Sequence, residues 1–116
     1  MTLKVRMCGY LRRLPGVDGD VEQRLMADMI ALAEREGFTL HFVFIEKQPQ
    51  RAAALNALVR YCQDLRIQNV VVPTNDHLNT LPALADVSRA VLQEEIGGQV
   101  WIVAPTDEET LCPPTT

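Results

Sequence analysis

Polar side chains with the chemistry to hold an anion or move a proton follow two apolar stretches of the chain. An arginine pair follows the first stretch and an Asn-Asp-His triplet follows the second. Guanidinium groups bind anions through paired hydrogen bonds, and a histidine beside a carboxylate can serve as a general base. The five side chains are Arg12, Arg13, Asn75, Asp76 and His77.

Each of these residues also has a plainer interpretation. Arg12 and Arg13 are equally compatible with a small-anion or nucleotide site and with ordinary solvent-exposed charges. No Ser or Cys nucleophile is placed near His77 by the sequence, so a solvated loop histidine is favoured over a general base. His41 lies inside an apolar run and is predicted to be a packed or edge residue of a strand. The glycine spacing fits neither a dinucleotide-binding motif nor a P-loop.

The apolar runs predict four strands, near residues 3–10, 39–45, 69–73 and 99–103. Helix-sized segments separate them, which gives the order β-α-β-α-β-α-β. Such an order predicts a three-layer α/β/α sandwich with a mostly parallel sheet and right-handed crossovers. Because sites in such sheets lie at the carboxyl ends of the strands, the loops after the first and third strands are expected to meet at one edge.

The three helices are predicted from periodicity and end signals. Asp20 is the expected N-cap of the first helix, with Gln23 completing a capping box, and Gly37 ends it. The second helix is expected from Arg51 to about residue 65. Its buried face is predicted to contain Leu55, Leu58, Val59 and Cys62. The third helix is expected to be capped by Thr80, with Pro82 in the first turn. Its buried face is predicted to contain Leu84, Val87, Val91 and Leu92.

Composition limits the kind of protein this is. With 116 residues and 47% hydrophobic residues, one domain over 1–105 is expected, followed by a flexible acidic and Pro/Thr-rich tail at 106–116. A net charge of −4 works against a free-standing nucleic-acid binder. Cys8, Cys62 and Cys112 lack the spacing of a zinc site or a disulfide framework, so buried free thiols are expected. The sequence predicts a cytoplasmic protein with no membrane helix, no metal and no cofactor.

Three short stretches of the sequence together resemble the N-terminal catalytic domain of the serine recombinases, the resolvase and invertase family. They are GYLR at 9–12, AEREGF at 33–38 and VVVPTNDHL at 70–78. The similarity runs from about residue 4 to residue 103. It implies the resolvase-like fold, with strand order 2-1-3-4 in the sheet.

The resemblance also implies where the family's DNA-cleaving residues would lie. In that family a serine two residues after a Tyr-x-Arg arginine attacks a DNA phosphate. Tyr10 and Arg12 match the Tyr-x-Arg pair, but Leu14 occupies the nucleophile position. Without a nucleophile the covalent route is lost, so no catalysis is expected.

A second family motif, Asp-Arg-Leu followed by another arginine, is matched only in part. Asp76 and Leu78 fit it, whereas His77 stands in place of its first arginine. The arginine that opens the family's second helix corresponds to Arg51 in one register and to Ala52 in another.

These features predict a catalytically inactive domain that acts as a protein-interaction or regulatory module, with self-association into a dimer expected. One alternative is an accessory role in site-specific recombination through pairing with an intact recombinase. Another is a small-anion or nucleotide binder at the edge formed by Arg12, Arg13 and His77. Family members continue into a dimerisation helix and a helix-turn-helix domain that 106–116 does not resemble, so DNA binding by this chain alone is not expected.

Overall fold

Alternating strands and helices build one parallel sheet with helices on both faces. A computed structural model describes residues 5–14, 18–47, 53–79 and 81–103. The strand order is β2-β1-β3-β4 and all three pairings are parallel, which confirms the predicted sandwich and strand order. The elements are β1 (Val5–Arg12), α1 (Gly19–Arg35), β2 (Phe38–Glu46), α2 (Ala53–Leu65), β3 (Asn69–Val72), a 3₁₀ turn (Asn75–His77), α3 (Pro82–Ile96) and β4 (Gln99–Ile102).

Side-chain alternation along β1 divides the interior into two cores, one on each face of the sheet. Met7 and Leu11 pack with α1, whereas Cys8 and Tyr10 face the layer of α2 and α3. Val71 joins the first core, and its neighbours on β3 join the second. Because successive residues of a strand point to opposite faces, the central strands are buried on both sides.

The cysteines in core elements are buried and free, as predicted. Cys8 lies on β1 and Cys62 on α2, and both thiols are inaccessible to solvent. A hydrogen bond to Cys62, together with burial, raises the pKa of Cys8 well above its ordinary value. Cys112 lies outside the described residues, as does the segment 106–116. Across the described ranges, none of the helices combines the length and apolarity needed to span a bilayer.

Two predicted helix caps are wrong. The N-cap of α1 is Asp18, whose carboxylate accepts a hydrogen bond from the Val21 N–H, so Asp20 falls within the first turn. The N-cap of α3 is Leu81 rather than Thr80, and it makes no side-chain cap. Pro82 lies in the first turn as predicted, and Thr80 itself is outside the described residues.

The predicted buried face of α3 is also wrong. Leu92 is buried, but Leu84, Val87 and Val91 are exposed. The residues that α3 buries with Leu92 are Ala85 and Ile96. α3 has more apolar residues than one face can bury, and it packs beside β4, which is an edge strand of the sheet. The face predicted for α2 is confirmed, with Leu58 and Cys62 buried and Leu55 and Val59 partly buried.

Candidate functional site

The carboxyl ends of β1 and β3 meet at one edge of the sheet. The backbone N–H of Arg12 donates to Nδ1 of His77 at 2.8 Å. His77 is held there by the 3₁₀ turn that follows β3, and its own N–H donates to the Thr74 carbonyl oxygen. The structure therefore brings together Arg12 and His77, two of the three residues predicted to bind an anion.

His77 is buried, with 3% of its surface exposed, and is not the solvated loop histidine that was predicted. Its pKa is lowered to about 4, mainly by burial; the Asp76 charge opposes this shift and the Arg12 charge adds to it. At neutral pH the imidazole is therefore uncharged. Because Nδ1 accepts from Arg12, the ring proton resides on Nε2. His77 acts here as a hydrogen-bond acceptor that connects the 3₁₀ turn to the end of β1.

Tyr10 and Arg12 are joined to Glu46 in a chain of hydrogen bonds that is buried at Glu46 and partly buried at Arg12. The Tyr10 hydroxyl donates to Oε1 of Glu46 at 3.0 Å and accepts from Nε of Arg12 at 3.1 Å. Burial raises the pKa of Tyr10 to about 12, with the Arg12 hydrogen bond acting in the opposite direction. The phenol is thus protonated at neutral pH and its proton is already engaged.

Glu46 is the residue that the sequence analysis missed. It is the last residue of β2, it is 3% exposed, and it pairs with Arg12 in the register between β1 and β2. Its carboxylate also accepts from the backbone N–H groups of Ala54 and Leu55, at 3.1 and 3.3 Å, in the first turn of α2. Three donors offset the cost of burying the charge. The available signal was a carboxylate directly after an apolar strand, on the strand that follows the Tyr-x-Arg segment.

Arg13 takes no part in this cluster. Its Nε donates to Glu22 of α1 at 3.2 Å, and half of its side chain is exposed. The structure therefore separates Arg13 from Arg12 and His77. Anion binding by these three residues stays a prediction, and Arg12 is the single cation of the three that lies within the hydrogen-bonded cluster.

Leu14 lies just beyond the end of β1, at the same edge. Its backbone N–H donates to the Arg12 carbonyl oxygen at 3.0 Å, and the residue is half-buried. An isobutyl side chain has no lone pair with which to attack a phosphate.

The remaining motif residues differ in their placement. Asp76 is exposed, whereas Leu78 is buried in the core on the α2 side of the sheet. Next to them Oδ1 of Asn75 is buried without a hydrogen-bond partner among the described residues. Arg51 and Ala52 lie outside the described residues. Within the described ranges, no group of three or more metal-ligating side chains occurs.

Comparisons with known proteins bear on the fold. No protein-family model matches the sequence, and neither does any curated protein. Among solved structures, the chain is similar to the C-terminal catalytic domain of ISC1926 TnpA, an IS607-like serine recombinase, with a TM-score of 0.67 and 18% identity over 89% of this chain and 72% of that one. This chain therefore has the α/β fold of a serine recombinase catalytic domain.

Proposed function

We propose that this chain is a non-catalytic, serine-recombinase-like domain that acts as an interaction module by pairing with a second copy of itself through α3. The observation that carries the proposal is the α3 stripe, the exposed apolar surface formed by Leu84, Val87 and Val91. The absence of catalysis is inferred separately, from the chemistry at the end of β1.

Leu14 and the hydrogen bonds of the candidate site support the absence of catalysis. Covalent phosphoryl transfer needs a nucleophile and positioned positive charge. Leu14 provides no nucleophile, the Tyr10 proton is engaged by Glu46, and the His77 imidazole is neutral. The hydrogen bonds among Tyr10, Arg12, Glu46 and His77 connect β1, β2 and the turn after β3.

The α3 stripe lies about 130° around the helix axis from the residues that α3 buries. At 100° per residue, Leu84, Val87 and Val91 fall within one sector, while Ala85, Leu92 and Ile96 point towards the core. Val87 is 58% exposed, and exposed Ala83 and Ala90 flank the stripe. Contiguous exposed apolar side chains on a soluble domain indicate an interaction surface.

A second copy is the occupant that suits this stripe best. A two-fold interface places the same patch on both sides, so an apolar helix face is complementary to itself. In an antiparallel pair centred on Val87, the charged Glu94 and Glu95 of one helix lie beyond the start of the other and avoid their own counterparts. The alanines beside the stripe permit close approach of the two helices.

Light scattering coupled to size-exclusion chromatography tests this function across a range of protein concentrations. The parent is expected to elute with the mass of a dimer and Val87→Glu with the mass of a monomer, because the variant places a charge at the centre of the interface. Ile30→Glu is the matched control, since Ile30 is an exposed apolar residue on α1. A parent that stays monomeric, or equal masses for both variants, would contradict the proposal.

A further inference from the structure

The edge strand β2 contains a β-bulge that changes which side chains face α2. The pairing with β1 runs Met7 to Leu40 and then Cys8 to Phe42, so His41 is an extra residue. Leu40 and Val43 therefore both pack on the α1 side, although regular alternation would place them on opposite faces. Bulges redirect side chains in this way and are enriched near functional sites.

The consequence of the bulge is an aromatic cluster against α2. His41 stacks on Tyr61 with ring centroids 5.9 Å apart, and Phe42 and Phe44 approach the same tyrosine at 6.0 and 5.5 Å. Phe42 remains 52% exposed despite these contacts. An exposed phenylalanine beside three other rings offers a surface on which a planar ligand can stack.

A cleft of about 510 Å³ opens beside this cluster, within the size range of small-molecule sites. Phe44 and Tyr61 form its aromatic wall, and Arg60, Asp64 and Asn56 supply its polar groups. Arg60 and Asp64 are one helical turn apart on α2, yet neither forms an ion pair with a described residue. None of the residues that line the cleft belongs to the chain of Tyr10, Arg12 and Glu46, so this is a second site.

We propose that this cleft binds a nucleotide. The base stacks on the aromatic wall, its N–H edge is directed to the Asp64 carboxylate or the Asn56 amide, and the phosphate is bound by the Arg60 guanidinium. Aromatic faces, one cation and one carboxylate together match a ligand with a planar ring, donor groups and an anionic end. The net charge of −4 favours a free mononucleotide over a nucleotide within a strand, because a strand adds further phosphates.

Isothermal titration of the full chain with adenosine 5′-monophosphate and with a short single-stranded oligo(dA) tests the site. Arg60→Gln is expected to weaken nucleotide binding about tenfold, since a charge-assisted hydrogen bond is lost. Tyr61→Leu keeps apolar packing but removes the ring, and is expected to weaken binding about fivefold. Arg24→Gln, on the opposite face of the molecule, is the matched control and should bind like the parent.

Thermal unfolding of each variant first establishes that the fold is retained. The proposal is supported if either ligand binds the parent and Arg24→Gln equally well but binds Arg60→Gln about tenfold more weakly. The ligand that binds more tightly identifies the source of the nucleotide. The proposal is overturned if neither ligand binds the parent, or if Arg60→Gln binds as tightly as the parent.

Discussion

His77 makes the stability of the fold depend on pH, because its buried imidazole must stay neutral to accept a hydrogen bond from the Arg12 N–H. Its folded pKa of about 4 lies below the ordinary value of 6.5. Between about pH 6.5 and pH 4, His77 is therefore protonated in the unfolded chain but not in the folded chain. The stability that His77 contributes is complete above about pH 6.5 and is lost as the pH falls towards 4, by up to about 3 kcal/mol.

Urea unfolding of the parent and of His77→Asn between pH 7 and pH 4 measures this contribution. The asparagine side chain offers an acceptor oxygen close to the position of Nδ1 but does not titrate. The parent should lose more of its free energy of unfolding than the variant over this interval. Carboxylates elsewhere titrate in both proteins. If the free energy of unfolding of the two proteins changes in parallel with pH, His77 does not cause the extra loss of stability.

Tyr10 and Arg12 were identifiable from the sequence, whereas Glu46 was not. Tyr10 and Arg12 stand in one short segment whose spacing is a motif. Glu46 is 34 positions after Arg12. A glutamate after an apolar run is common at the ends of strands, so the local pattern does not indicate a site. Only the register of β2 on β1 shows that this carboxylate lies next to the tyrosine. His77 was misjudged for a similar reason, because its burial depends on the adjacent β1 segment and not on its own loop.

At the scale of elements, local sequence signals predicted α1, α2, α3 and the strands β1 to β4, but they did not predict which face of α3 is buried. The spacing of Leu84, Val87 and Val91 is that of a buried face, and so is the spacing of Ala85, Leu92 and Ile96. Periodicity cannot choose between two apolar sectors of one helix. The choice is made by contacts with α2, the 3₁₀ turn and β4, which are long-range properties of the sheet.

The junction of α3 with β4 depends on a glycine. A Cβ placed on Gly98 would lie 1.8 Å from the carbonyl oxygen of Gln68, the same oxygen that accepts from the Gln99 N–H at 2.9 Å. Gly98→Ala must therefore displace the start of β4 from β3, and we expect a loss of about 2 kcal/mol or more in the free energy of unfolding. Chemical denaturation measures it.

Gly19→Ala is the matched control for this prediction. Gly19 is the first residue of α1, and nothing lies within 4 Å of a Cβ added there. Its replacement should leave stability unchanged or raise it slightly, because the unfolded chain loses freedom. Equal effects of the two substitutions would show that the contact with Gln68 does not limit the junction.

At the scale of the whole molecule, the order of elements predicted the sandwich, and the recombinase resemblance supplied the strand order. Neither the order of elements nor the resemblance establishes where other domains would lie relative to this one. In the resolvase and invertase family, which the sequence resembles, the catalytic domain is N-terminal. The similar solved domain is C-terminal in its protein. The two proteins share a fold, and the capacity of this chain to bind DNA depends on its own charges.

Those charges predict that the isolated chain does not bind duplex DNA at physiological salt. Affinity for DNA rests on several cations that neutralise phosphates together. Here the net charge is −4, Arg13 is paired with Glu22, and the neutral His77 adds nothing to Arg12. Fluorescence anisotropy with a labelled duplex is expected to show no saturable binding at about 10 µM protein, a concentration at which ordinary non-specific binders already associate.

An accessory role in recombination would therefore have to act through an intact recombinase. Adding this chain to such an enzyme, and separately adding Val87→Glu, distinguishes the possibilities. If the accessory role is real, the parent changes the enzyme's DNA binding or strand exchange while remaining unable to bind the duplex itself. Salt-dependent binding by the isolated parent, weakened by Arg12→Ala, would instead show that the edge of β1 is a phosphate-binding surface whose local charge outweighs the acidic balance of the whole chain.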